Sequence, residues 1–155
     1  MSKHATEIAR RLRDAIETAT DSKLDLETPI PWPGQPETLW PRADISGRVT
    51  TGEVFIVEID DHADPARSVV KYWPLLHSMD AGEFEHAPIA FVEVSQRDDT
   101  YGEGYQLLAQ FDGARFAERY PNHFRFRYID LTGKDASEIA KVILAFLSEC
   151  RGDRV

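Results

Sequence analysis

The chain has 155 residues, which fits one domain over 1–155 and allows a sizeable core without a structural metal or disulfide. Apolar residues make up 42% of the chain and charged residues 29%, which excludes a disordered or fibrous protein. The net charge of −9 argues against a broad basic surface for nucleic acid or anionic membrane, although clustered acids can hold divalent cations that reverse the local charge.

The compartment is indicated by what the sequence lacks. The first residues do not read as a signal peptide, and no stretch approaches the roughly 18 apolar residues of a membrane span. The single Cys150 cannot form an internal disulfide, which suits a reducing environment. We therefore expect a cytoplasmic protein with no membrane association.

The N-terminal quarter combines a helix with a proline-rich loop. Apolar residues at helical spacing predict an amphipathic helix over 6–20. The stretch 28–41 holds five prolines and a glycine, which forbids a long helix and disfavours a central strand. We expect an extended loop there, anchored by Trp32 and Trp40.

A hairpin and a capped helix follow the loop. Residues 42–50 and 53–60 predict two antiparallel strands that turn at Thr51-Gly52. Asp64-Pro65 is typical of a helix start, with Asp64 as the cap, and the helix is expected to reach Trp73 before Pro74 ends or kinks it.

Strands and helices alternate in the remainder. The predicted strands are 88–95 and 124–131, and the predicted helices are 105–120 and 135–150. The order is approximately α-β-β-(β)-α-β-α-β-α, which favours an α/β fold with a mixed central sheet flanked by helices.

Acidic residues gather at the end of the second hairpin strand. Strand alternation places Glu58 and Asp60 on one face, and the hairpin brings Asp44 alongside them. Clustered carboxylates usually need a cation, a proton or a lysine among them. Mg²⁺, or Mn²⁺ in its place, suits such oxygen ligands, and Lys71 on the next helix is the available ammonium.

The sequence around these acids resembles a known family. Pro41-Arg42-Ala43-Asp44 followed by Val57-Glu58-Ile59-Asp60 is similar to the motif of the PD-(D/E)XK nucleases, over residues 5–95. The resemblance implies a restriction-endonuclease-like fold, magnesium bound by Asp44 and Glu58, and hydrolysis of phosphodiester bonds in DNA or RNA.

This sequence departs from the family pattern in two places. Two residues separate Pro41 from Asp44, and Asp60 stands where the family usually has a lysine. Some members move that lysine to the following helix, so Lys71 is the candidate replacement that positions or activates water, with Asp60 assisting. On a helical wheel Lys71 lies nearly opposite Val69, so it would face outward if Val69 packs on the sheet. The helix is apolar on several sides, however, and Pro74 disturbs the wheel, so both directions of Lys71 stay open.

Interpretations without catalytic activity also stay open. The chain is also compatible with an inactive domain of the same fold that binds protein or nucleic acid, or with an unrelated α/β interaction module whose acids lie on the surface. In that case Asp60 and Asp61 would form a solvated strand end, and Arg48 is a candidate partner for Glu58. A homodimer is equally compatible with the sequence.

A few other side chains are secondary candidates. Glu7 could supply the acid that some family members carry on the first helix, although a solvent-facing position fits its place beside the apolar stripe. Gln106 and Arg97 are candidate phosphate contacts, and His62 is a turn residue that could join a metal site.

Overall fold

The computed structural model describes residues 2–61, 64–96 and 102–149. Within them, five strands form one mixed sheet in which neighbours in sequence are neighbours in space. The strands are β1 (Leu24–Pro29), β2 (Arg42–Arg48), β3 (Val54–Asp60), β4 (Ile89–Ser95) and β5 (Phe124–Asp130). The pairs β1–β2 and β2–β3 are antiparallel, whereas β3–β4 and β4–β5 are parallel.

Helices cover both faces of this sheet. They are α1 (Lys3–Thr20), α2 (Pro65–Val70), α3 (Trp73–Asp80), α4 (Gly102–Arg119) and α5 (Ala136–Glu149). Each parallel strand pair needs a crossover, which α2 and α3 supply between β3 and β4, and α4 supplies between β4 and β5. The α/β class and the mixed central sheet are thus confirmed. None of the helices in the described ranges is long and apolar enough to cross a bilayer.

The alternation of β3 divides its side chains between two apolar layers. Phe55 and Val57 pack in the layer formed with α1 and α5. Ile56 packs in the layer formed with α2, α3 and α4. Because alternate strand residues share a face, Glu58 and Asp60 lie on the side of α2 and α3.

The sheet begins with a strand that the sequence left optional in the predicted order and did not locate. The predicted loop over 28–41 begins too early, because residues 28 and 29 belong to β1, which pairs with β2. Only Leu24 in β1 is fully buried, so the strand has no clear apolar alternation, and Pro29 is tolerated because β1 is an edge strand.

The rest of the proline-rich segment is irregular except for a single 3₁₀ turn at Glu37–Leu39. Trp32 and Trp40 serve as its anchors in different ways. The Trp32 indole N–H donates to Ser78 Oγ at 3.2 Å on α3, whereas that of Trp40 donates to the Gln35 carbonyl within the loop at 3.0 Å. Trp32 thus connects the loop to the apolar layer formed with α2, α3 and α4.

The helix after β3 is divided into two. The expectation of one helix to Trp73 is wrong, because α2 ends at Val70 and α3 begins at Trp73, with Pro74 in its first turn. The predicted cap is confirmed, since Asp64 Oδ1 accepts the Ala66 N–H at 2.9 Å. Lys71 and Tyr72 connect the end of α2 to the start of α3.

The tight packing of α4 on β5 generates a stability prediction. A Cβ added to Gly113 would lie 2.3–2.4 Å from ring carbons of Phe126, and that ring is stacked against Phe91 and Phe124. We expect Gly113→Ala to lower the free energy of unfolding by about 1–3 kcal/mol, because the ring cannot move aside without disturbing its neighbours. Urea denaturation followed by circular dichroism measures the change.

Gly104→Ala is the matched control on the same helix. No atom lies within 4 Å of a Cβ built there, so the same substitution should raise stability by up to about 1 kcal/mol through reduced backbone freedom. Equal effects of the two substitutions would contradict the close packing of α4 on β5.

Candidate functional site

The candidate site lies where β2 separates from β3. The ladder between these strands runs from Arg48 opposite Val54 to Ile45 opposite Val57, so Asp44 and Glu58 lie just beyond its end. Asp44 Oδ2 accepts the backbone N–H of Ile59 at 2.7 Å. The Asp44 side chain thus satisfies a backbone N–H of β3 that lies beyond the end of the ladder. This bond holds the Asp44 carboxyl group in contact with that of Glu58.

Glu58 receives two short hydrogen bonds from the break between α2 and α3. Lys71 Nζ lies 2.6 Å from Glu58 Oε1, and the Tyr72 hydroxyl donates to the same oxygen at 2.6 Å. Lys71 Nζ also donates to the Arg42 carbonyl oxygen at 2.7 Å. The structure therefore brings Lys71 together with Asp44 and Glu58.

The helical wheel is wrong about the direction of Lys71. Val69 is indeed fully buried on the sheet, yet Lys71 reaches Glu58. The backbone of Lys71 still follows the helix, because it has right-handed helical angles and its N–H donates to the Arg67 carbonyl at 3.1 Å. The long lysine side chain therefore reaches Glu58 from the edge of the helix, while it stays 36% exposed.

Two alternative assignments are corrected by the same geometry. Arg48 does not pair with Glu58, because it lies opposite Val54 at the other end of the β2–β3 ladder. Glu7 is exposed on α1 and forms an ion pair with Arg11 at 3.0 Å. Its carboxylate is thus engaged on the helix surface.

Burial dominates the electrostatics of the pair. It raises the pKa of Glu58 to about 8, and the charge of Asp44 adds to this, while the Lys71 ammonium and the hydrogen bonds from Lys71 and Tyr72 act in the opposite direction. Burial also raises the pKa of Asp44, against the lowering effects of the Ile59 N–H and Lys71. Without a further cation, Glu58 is therefore largely protonated at pH 7.

Glu93 is a fourth acid of this cluster, and the sequence reasoning missed it. It lies opposite Glu58 in the parallel β3–β4 ladder, and it is completely buried. Neither of its carboxyl oxygens, nor Oδ2 of Asp60, has a hydrogen-bond partner in the described part of the chain. The available signal was an acid in the middle of the apolar run IAFVEVS.

Burial, followed by the neighbouring carboxylate of Asp60, raises the pKa of Glu93 well above its ordinary value. Two carboxylates have no donor between them unless one carries a proton. A proton held by Glu93 provides that donor toward Asp60.

The interpretation of Asp60 and Asp61 as a solvated strand end is wrong. Asp60 is 8% exposed and Asp61 is 6% exposed. Asp61 Oδ2 accepts the Ser2 hydroxyl at 2.5 Å, and Ser2 Oγ in turn accepts the Ala5 N–H as the cap of α1. Asp61 thereby joins the end of β3 to the start of α1, and only Asp60 faces the acid cluster.

The cluster offers a limited set of metal ligands. Within the described ranges, no three side chains of His, Cys, Asp or Glu are grouped so that they could hold one ion. Oδ2 of Asp44 accepts the Ile59 N–H, Oε1 of Glu58 accepts from Lys71 and Tyr72, and the two carboxyl groups also contact each other, so a cation bound by this pair would replace part of these contacts. Mg²⁺ in proteins is often held by one or two carboxylates and keeps several waters, so this pair fits it chemically.

The secondary candidates have different outcomes. Gln106 is buried, and its Nε2 has no hydrogen-bond partner among the described residues. His62, Arg97 and Cys150 lie outside the described residues.

No protein-family model, no curated protein and no solved structure matched the chain. The functional argument therefore depends on the geometry of the site.

The buried Glu93 generates a prediction about pH and stability. Because the pKa of Glu93 in the folded protein lies well above its ordinary 4.5, the folded state keeps a proton that the unfolded chain releases, and stability falls as the pH rises above 4.5. Glu93→Gln is neutral at every pH and can donate to Asp60. We expect the variant to match the wild type near about pH 4.5 and to gain on it progressively at higher pH.

The measurement is urea denaturation of both proteins in EDTA across this pH range. Glu37→Gln is the matched control, because Glu37 is exposed in the 3₁₀ turn. A difference between Glu93→Gln and wild type that does not grow with pH would show that Glu93 carries no extra proton in the folded state.

Proposed function

We propose that the protein is a metal-dependent phosphodiester hydrolase that acts on nucleic acid, with a divergent PD-(D/E)XK site in a restriction-endonuclease-like fold. The observation that carries the proposal is the 2.6 Å contact between Lys71 Nζ and Glu58, next to Asp44. Lys71, from the segment after β3, supplies the ammonium that the sequence lacks at Asp60. Three groups of the expected chemistry converge from three separate parts of the chain.

Asp44 and Glu58 are the residues that would hold Mg²⁺ or Mn²⁺. When bound, such an ion polarises a phosphodiester and lowers the pKa of a coordinated water. Asp60 supports the site from behind Glu58 by adding negative charge at the end of β3. Asp44 is kept in place by the Ile59 N–H, and Glu58 is kept in place by the Tyr72 hydroxyl.

Lys71 is positioned to contact both the acids and a substrate. Its side chain is 36% exposed, whereas that of Glu58 is 4% exposed, so the ammonium lies at the boundary between the cluster and solvent. An ammonium has three donors, and Glu58 and the Arg42 carbonyl use two of them. No other described residue takes the third, which we assign to orienting an attacking water or binding a phosphate oxygen.

A second candidate function is supported by the same contacts. Lys71 and Tyr72 already satisfy Glu58, and the described residues contain no group of three metal ligands. An inactive domain of this fold, using the cluster only as structure and binding a protein or nucleic-acid partner, is consistent with that neutralisation. Metal binding and cleavage distinguish the two functions.

The nuclease proposal predicts the effects of three substitutions on cleavage. We expect Asp44→Asn, Glu58→Gln and Lys71→Met each to lower the rate of Mg²⁺- or Mn²⁺-dependent cleavage of labelled DNA or RNA by at least about 100-fold, because each removes a charge from the reacting centre. The substrates are single-stranded and duplex forms of both polymers, and circular dichroism confirms that each variant is folded.

Glu7→Gln is the matched control for these variants. It also removes one carboxylate, but from the surface ion pair with Arg11, so it should cleave at the wild-type rate. If the wild type never cleaves faster than Asp44→Asn on any of the substrates, the protein is not a nuclease, and the inactive-domain function is favoured.

The raised pKa of Glu58 predicts a pH dependence of metal binding. With a pKa of about 8, Glu58 must lose a proton before it can bind a cation. We expect the apparent affinity for Mn²⁺, measured by calorimetry, to rise by about tenfold per pH unit as the pH approaches 8. Glu58→Gln should bind weakly at every pH, and an affinity that does not depend on pH would contradict the role of Glu58 as a ligand.

A further inference from the structure

Large apolar side chains lie exposed on the outer face of α4 and on the segment beside it. Five of them are between 41% and 61% exposed, and we call them the α4 patch: Val70, Trp73, Leu107, Leu108 and Phe111. The last three belong to α4, whereas Val70 ends α2 and Trp73 begins α3. Because α2 packs beside α4, the two groups lie on the same side of the molecule.

The contacts of Trp73 and Phe111 make the patch continuous. The Trp73 indole N–H donates to the Tyr120 hydroxyl at 3.1 Å, directly after α4. The Arg115 guanidinium lies over the Phe111 ring, 6.0 Å from its centroid, and Arg115 and Trp73 line one cavity of about 560 Å³. The apolar surface therefore runs from α4 across this cavity to α3.

The patch gives α4 a second apolar face. Ala109 is fully buried, and Gly113 packs against the Phe126 ring, so their side of the helix lies on the sheet. At 3.6 residues per turn, Leu107 and Phe111 lie on the opposite side. A helix that is apolar on opposite sides usually has both sides buried, which indicates that a partner covers the outer one.

The size of the patch matches one side of a dimer interface. A side chain of this size has a surface of about 200 Å², so half exposure of five of them amounts to about 500 Å². A stable interface buries about 800 Å² on each partner, of which about 60% is apolar. The patch therefore supplies about the apolar area that one subunit of a stable dimer needs.

The patch is electrically neutral. It contains no charged side chain, and Arg115 at its edge forms an ion pair with Glu118 at 3.3 Å. A partner therefore needs no charge opposite to that of the patch. Two copies of the patch can meet without placing like charges together, although each chain has a net charge of −9.

The outward residues of α4 are complementary to themselves. Gly104, Leu107, Phe111 and Ala114 follow at spacings of three, four and three residues, and they lie within about 80° around the helix. This spacing is typical of the contact line between two paired helices. If two such helices run antiparallel, Leu107 meets Phe111 in the centre, and Gly104 meets Ala114 at each end.

We propose that the α4 patch binds a second copy of this chain, by antiparallel pairing of two α4 helices about a twofold axis between Leu107 and Phe111. A twofold axis brings the same surface of both copies together, which a self-complementary row of residues requires. Val70, Trp73 and Leu108 extend the contact on one side of the row. The inference goes beyond the nuclease proposal and is tested without any cleavage.

The test is the oligomeric state of the full chain, measured by sedimentation equilibrium over a range of concentrations. We expect the wild type to form a dimer. Leu107→Glu and Phe111→Lys should each weaken dimerisation by at least about 30-fold, because each places an unpaired charge against an apolar side chain of the second copy. An equal mixture of the two variants should associate again, because the introduced opposite charges then face each other.

Leu39→Glu is the matched control. Leu39 is 57% exposed in the 3₁₀ turn between β1 and β2, at the edge of the sheet away from α4, so this variant should dimerise as the wild type does. Circular dichroism confirms that each variant is folded.

Three results would count against the proposal. A wild type that stays monomeric up to about 100 µM would overturn it and leave the patch to a different protein. Equal dimer affinities of Leu107→Glu and wild type would also overturn it. Two monomeric variants that do not associate when mixed would overturn the antiparallel pairing.

Discussion

The cost of dehydrating carboxyl groups governs the end of the sheet where β2, β3 and β4 meet. Asp44, Glu58, Asp60 and Glu93 share this region, and the last three are at most 8% exposed. A set of ionised acids in such surroundings is unstable unless cations or protons compensate it. The chain supplies one ammonium from Lys71, hydrogen bonds from Tyr72 and the Ile59 N–H, and raised pKa values that keep Glu58 and Glu93 protonated. At the proposed metal site, a divalent cation would replace protons in the same role, which would couple metal affinity to proton affinity.

Two consecutive residues at the end of α2 provide that compensation. Lys71 keeps the helical hydrogen bond to Arg67, and its long side chain reaches Glu58. The fully buried Tyr72 donates to the same carboxyl oxygen and packs on Phe91 with ring centroids 5.1 Å apart. The Lys71 ammonium and the Tyr72 ring that packs in the layer of α2, α3 and α4 thus meet at the same carboxyl oxygen. This arrangement suits a catalytic lysine and a purely structural one. The two roles differ in whether the third N–H of the Lys71 ammonium contacts a substrate or water.

The elements that the sequence could predict are those with strong local signals. The hairpin turn at Gly52, the cap at Asp64 and the amphipathic α1 and α5 each depend on residues close in sequence, and the structure contains all of them. Strand β1 could not be located from the sequence, because an edge strand has few buried side chains and therefore no clear apolar alternation. Its last residues also belong to the proline-rich stretch, which predicts a loop. Glu93 was missed for a different reason. Its strand is recognisable as apolar, but which acids lie beside it depends on the parallel register between β3 and β4, a long-range property.

The sequence by itself determined the class of the fold and the set of acids at the end of β3, because strand alternation and helix periodicity are local consequences of backbone geometry. It also identified Asp44, Glu58 and Lys71 as the residues to examine. Only the tertiary structure decided that Lys71 contacts Glu58 and that Glu93 joins the cluster. The physical reason is that burial, strand register and the end of a helix arise from contacts between distant segments, and these contacts set both the direction of a side chain and the charge that it carries.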